Sequence, residues 1–153
     1  MSILKKGDMV AFIAPSSFVK EDDISASIKY FEQMGLKIKL AENIFDEYRY
    51  MAGKDKRRAD AINKMFGDKK IKALICVRGG AGSTRILPYL DYELIKSNKK
   101  PVIGLSDSTA VQNALINLSY GPYVWLHLRR ELQLPLYFQE RHRILASLAY
   151  DAG

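Results

Sequence analysis

Cysteine is almost missing from this chain of 153 residues. Cys76 stands alone, so no internal disulfide can form and a reducing compartment is expected. Histidine is nearly as scarce, at positions 127 and 142 only. No spacing of Cys, His, Asp and Glu suggests a metal site, and no cofactor motif is evident. No apolar run approaches the roughly 20 residues needed to span a bilayer. The longest, such as Met9 to Pro15, are strand-sized. The N-terminus has no apolar stretch ahead of a small-residue cleavage site, so no secretory signal is read there. There is no internal repeat and no low-complexity linker. These absences point to a cytoplasmic protein with no membrane partner.

What is present is ordinary globular material. The hydrophobic fraction is 48% and the charged fraction 27%, enough for one domain with a real core. The formal net charge is +7. A basic balance permits a nucleic-acid partner, but no aromatic interleaving of the basic patch formed by Lys69, Lys70, Lys72, Arg57 and Arg58 supports a nucleic-acid groove, and no such partner is expected. Lys69, Lys70 and Lys72, with Arg57 and Arg58, read as solvated surface. The distribution of charge is more telling. All 15 lysines lie in the first 100 residues, whereas the last 53 use arginine alone, at 129, 130, 141 and 143.

Apolar periodicity alternates between strand and helix. Met9 to Ala14 and Ile71 to Val77 are continuous apolar runs, the pattern of strands buried on both faces. Leu36 to Leu40 alternates with lysine and reads as a strand near an edge. Pro101 to Gly104 is a further short strand. Helices are expected over 21–34, with Gly35 as the stop signal, over 54–66, briefly after Gly82, as a further turn over 91–96, and over 107–118. Strands separated by helices predict an α/β fold: a mostly parallel open sheet with flanking helices, Rossmann-like or flavodoxin-like.

In such a sheet, ligands bind beyond the carboxyl ends of the strands. Three loops leave in that direction: Pro15-Ser16-Ser17, Arg78-Gly79-Gly80-Ala81-Gly82-Ser83, and Leu105-Ser106-Asp107-Ser108. The glycine loop is either a tight turn or a cradle of backbone N–H groups for an anion. Its spacing matches neither a dinucleotide fingerprint nor a phosphate-binding loop. Ser106 sits between a short strand and a helix, the position of either a helix N-cap or an exposed nucleophile. Cys76 lies inside an apolar strand and reads as a buried small hydrophobe.

These loops carry a specific resemblance. The matching segments are Gly7-Asp8 leading to Ala11-Phe12-Ile13-Ala14-Pro15-Ser16-Ser17, then Tyr50-Met51-Ala52-Gly53-Lys54-Asp55 with Arg57-Arg58-Ala59-Asp60. They continue with Ile71 through Ser83, Leu87-Pro88-Tyr89-Leu90-Asp91-Tyr92, and Gly104-Leu105-Ser106-Asp107-Ser108-Thr109-Ala110. In content, order and spacing the chain resembles the N-terminal half of the LD-carboxypeptidase family over roughly residues 5–120. These are serine peptidases of murein recycling and include the microcin C self-immunity peptidases. The resemblance implies that Ser106 is the nucleophile, that Gly80 and the N–H of Asp107 receive the oxyanion, and that Gly79 with them borders the oxyanion or the substrate carboxylate. It implies that Ser16, Ser17, Arg78 and Ala81 line the substrate loop. The implied substrate is a murein tetrapeptide, cut to release its terminal D-alanine, and the implied assembly is a homodimer.

Two departures shape the expectation. Family members carry an aromatic where this chain has Ala81. They also place a catalytic glutamate and histidine in a second domain, beyond residue 153, so the base and its orienting acid are expected to be absent here. His127 and His142 match no family catalytic position. Residues 1–120 thus read as the nucleophile-bearing domain. Residues 121–153 read as an atypical tail, from a change of frame or a truncation, or else as a short paralogue's own helix from about 138 to 150. The chain alone is expected to be weak or inactive as a peptidase. The alternative is a non-catalytic domain that binds a carboxylate or peptide.

Overall fold

β1 (Met9–Ile13), β2 (Lys37–Leu40), β3 (Ile71–Cys76) and β4 (Val102–Ile103) form one parallel sheet in the order β2-β1-β3-β4. The computed structural model describes residues 4–116 and 118. The tail at 121–153, with both histidines, lies outside the described residues. Helices α1 (Glu21–Gln33), α2 (Asp55–Gly67), α3 (Tyr92–Ser97) and α4 (Thr109–Ile116) connect or follow the strands. None of the described helices is long and apolar enough to cross a membrane.

The continuous apolar runs have a direct cause, since β1 and β3 are covered on both faces. Val10, Phe12 and Ala14 face one way with Ala73, Ile75 and Val77, against Ile24 and Phe31 of α1. Phe12 and Phe31 meet edge to face at 5.5 Å. Ala11, Ile13, Leu74 and Cys76 face the other way, against Ala59, Ile62 and Phe66 of α2, Ile95 of α3 and Val111 of α4. β2 alternates because it is an edge: Ile38 and Leu40 pack on the core, while Lys37 is exposed and half-buried Lys39 pairs with Asp68 at 2.7 Å. Helix α1 stops where Gly35 takes a φ of 82°. There the Gly35 and Leu36 N–H groups cap the carbonyls of Glu32 and Phe31.

The predicted helices differ from the observed ones at two points. The segment after Gly82 is a 3₁₀ helix, Ser83–Tyr89, with Pro88 inside it. The helix predicted over 107–118 opens as a 3₁₀ turn, Ser106–Ser108, before α4 begins.

The connections fix where the site lies. From β1 the chain moves outward to β2, then crosses back over β1 to β3 and outward again to β4. The order therefore reverses between β1 and β3, and the crevice of an open sheet forms at such a reversal.

Candidate active site

The loops leaving β1, β3 and β4 converge, as their positions in the sequence predict. The Ser17 N–H donates to the Gly79 carbonyl at 3.3 Å, joining the first loop to the second. The second and third touch through Gly79. A Cβ placed there would lie 2.9 Å from Cβ of Ser106 and 3.2 Å from its Oγ. Gly80, at φ 115°, lies tighter still against Ser17, whose Oγ would be 2.0 Å from an added Cβ. The two glycines are therefore the condition for Ser17 and Ser106 to flank one narrow strip of backbone.

Ser106 is exposed and has a φ of 60°, in the left-handed region that non-glycine residues rarely occupy. Such a turn between a strand and a helix lifts a side chain above the sheet edge. It is held from below. The Ser108 hydroxyl donates to the Leu105 carbonyl at 2.8 Å. The buried Gln112 amide donates to the carbonyls of Val102 at 3.1 Å and Gly104 at 3.2 Å, tying α4 to β4 and its exit. Strain of this kind persists only where neighbours over-determine it.

Asp107 turns its carboxylate into the structure. Its Oδ2 accepts the Ser83 N–H at 2.8 Å, while its carbonyl accepts the Ser83 hydroxyl. Burial alone would raise its pKa. The Ser16 hydroxyl nearby, the two Ser83 donors and the Arg58 charge outweigh burial and hold it below the usual carboxylate value. The Ser16 Oγ is fully buried and makes no hydrogen bond of good geometry. Arg78 is exposed and donates to the Phe18 carbonyl at 3.2 Å, and Ala81 is half-buried beside Gly80. Cys76 lies below the loops, and burial pushes its thiol up to about 12, so it stays protonated and inert.

The organising residue was not read from the sequence. Arg58 is not solvated surface, as predicted, but fully buried. Its guanidinium donates to the carbonyls of Pro15, of Gly82 at 2.9 Å and of Gly53 at 3.2 Å, and pairs with Asp55 at 2.5 Å. It thereby clamps the loops after β1 and β3 to the start of α2. The signal was available: Arg58 falls on the inward stripe of α2 with Ala59, Ile62, Met65 and Phe66. Arg57, one step round the helix, is exposed and pairs with Asp46 at 3.0 Å and Glu42 at 3.3 Å.

Comparison with known proteins agrees with this arrangement. A family profile described as the LD-carboxypeptidase N-terminal domain, Peptidase_S66, matches residues 10–122. A probable murein peptide carboxypeptidase of Bacillus subtilis is 35% identical over 112 residues, covering 73% of this chain and 35% of that protein. A murein tetrapeptide carboxypeptidase of Pseudomonas aeruginosa is 32% identical over 145 residues, covering 92% of this chain and 47% of its own length. Among solved structures, an MccF-like protein from Bacillus anthracis superposes with a TM-score of 0.72 at 30% identity, over 76% of this chain and 36% of that one. The chain thus spans between a third and a half of the length of these curated relatives. By its sequence match over residues 10–122, and with the parallel sheet and loop crevice described, the chain belongs to the LD-carboxypeptidase family.

Proposed function

We propose that this chain is the nucleophile-bearing part of a serine-type LD-carboxypeptidase that releases the terminal D-alanine of a murein tetrapeptide. The observation that carries the reading is Ser106, exposed at a φ of 60° and packed against Gly79 at the carboxyl edge of the sheet. Ser106 Oγ attacks the carbonyl between the diamino acid and D-alanine. The N–H groups of Gly80 and Asp107 receive the oxyanion, and Ser16, Ser17, Arg78 and Ala81 border the peptide's end. A base outside the described residues takes the hydroxyl proton and returns it to the departing amine. Without such a base the serine hydroxyl is a poor nucleophile. The reading carries with it a cytoplasmic site of action and a homodimer, both drawn from the family resemblance.

A boronic-acid analogue of a D-alanine-ended peptide tests this without needing a leaving group. The wild-type chain should form a tetrahedral boronate on Ser106, seen by boron NMR and by mass, and Ser106→Ala should not. Equal binding by both chains with no adduct would sink the enzymatic reading and leave a domain that holds a peptide carboxylate without cutting it.

A further inference from the structure

The first turn of the 3₁₀ helix Ser83–Tyr89 is capped from another loop. Gly82 precedes it at a φ of 101° and has no side chain to offer the helix. The Ser83 N–H instead donates to the Asp107 carboxylate, 24 residues on, at 2.8 Å. The bridge is returned, because the Ser83 hydroxyl donates to the Asp107 carbonyl. Each residue thus lends its side chain to the other's backbone. Ser83 is fully buried. It reaches no substrate, so what it contributes to a reaction passes through Asp107.

This bridge joins the two sides of the proposed oxyanion site. The glycine loop is held on either side of Gly80. The Ser17 N–H donates to the Gly79 carbonyl at 3.3 Å, and Arg58 donates to the Gly82 carbonyl at 2.9 Å. The Gly80 N–H meets no acceptor among the described residues. Asp107 is the second residue of the 3₁₀ turn Ser106–Ser108, too early in it for its N–H to find a helical carbonyl. Both donors are therefore unspent. They serve an oxyanion only if both aim at one oxygen, at roughly 2.7–3.1 Å. Ser83 fixes Asp107 at its carboxylate and at its carbonyl, and so fixes the direction of its N–H relative to the glycine loop.

We infer that Ser83 is a positioning residue of the proposed reaction: it holds the Asp107 N–H in line with the Gly80 N–H, so that both meet the oxyanion. The inference rests on the peptidase reading and deepens it.

The test uses the full chain and the boronic-acid analogue of the D-alanine-ended peptide, beside the same peptide with a carboxamide in place of the boronic acid. On the first, Ser106 Oγ bonds to boron, its proton passes to the buffer, and a tetrahedral anion results. The carboxamide stays planar and neutral. The ratio of the two affinities therefore reads the oxyanion site apart from general binding. Ser83→Ala should lower that ratio about tenfold, less than outright loss of an oxyanion donor. Asp107→Ala cuts the other half of the bridge but keeps the backbone N–H. It should lower the ratio to the same degree, and it stands in if Ser83→Ala does not fold. Ser83→Thr keeps the hydroxyl and should keep the wild-type ratio. Tyr92→Phe removes the hydroxyl that holds the same 3₁₀ helix near its other end, through the Leu87 carbonyl at 2.9 Å. It should lower the urea midpoint without moving the ratio. An unchanged ratio in Ser83→Ala and Asp107→Ala, or a fall shared by Ser83→Thr or Tyr92→Phe, overturns the role of Ser83 alone. If the wild-type chain forms no boronate on Ser106, the peptidase reading falls and the role of Ser83 with it.

Discussion

Gly79 and Arg58 set the residue-scale terms of this site from opposite sides. Gly79 acts by what it lacks. Alanine there would drive a methyl to 2.9 Å from the Ser106 Cβ, so the serine loop must shift. Gly79→Ala should abolish the boronate adduct while leaving the thermal transition within a few degrees of wild type, since the crowding is confined to two surface loops. Arg58 acts by what it fills. Its removal orphans the carbonyls of Pro15, Gly53 and Gly82 in a dry interior and leaves Asp55 with Arg85 alone. Arg58→Met should cost about 3 kcal/mol in urea unfolding, the range for breaking a buried pair. The two residues also mark what the sequence discloses. Glycines beside a strand end allow a close approach, and the strand-to-helix junction marks Ser106 as either an N-cap or an exposed side chain, of which the structure shows the exposed one. A buried arginine is masked by its charge, and only its position on the apolar stripe of α2 betrays it.

At the level of elements, the pattern of the strands was the clearest signal, because burial on both faces writes a continuous apolar run. β4 is harder to place: it has two paired residues, and its boundary is set by what packs around it rather than by its own composition. Lys100, just before it, shows the difficulty. Its charge suggests solvent, yet its ammonium is buried and donates to the carbonyls of Met65 at 3.0 Å, Phe66 at 2.6 Å and Asp68 at 2.5 Å. It closes the C-terminal end of α2, where a cation also suits the helix dipole. Lys100→Met keeps most of the stem and removes the donors. It should lower stability by roughly 1–3 kcal/mol, read as a fall in the urea midpoint. Hydrogen exchange should speed first at the last turn of α2, and uniform loss of protection would show that the residue serves the whole core instead.

On the scale of the whole molecule, electrostatics couple the site to stability. The carboxyl of Asp107 is held below its ordinary value by Ser16, Ser83 and Arg58 against the effect of burial. The same direction applies to Asp55 through Arg85 and Arg58, to Asp68 through Lys39 and the Lys70 N–H, and to Glu42 through Lys64 and Arg57. A carboxyl whose folded pKa is depressed binds its proton less readily than in the unfolded chain. Its contribution is therefore complete above the unfolded pKa, near 4, and is lost as pH falls through the folded value. The chain also carries +7 at neutral pH, so each carboxylate neutralised by acid adds to an existing excess of positive charge. Urea midpoints should hold steady from pH 7 to about pH 5 and then fall continuously toward pH 3. Asp107→Asn should start lower at pH 7 and converge on the wild type as acid removes what the substitution already lacks. Parallel curves with a constant gap would mean that Asp107 stabilises the loops by shape alone, and the charge of Arg58 would then have no part in holding Ser83 against the serine turn.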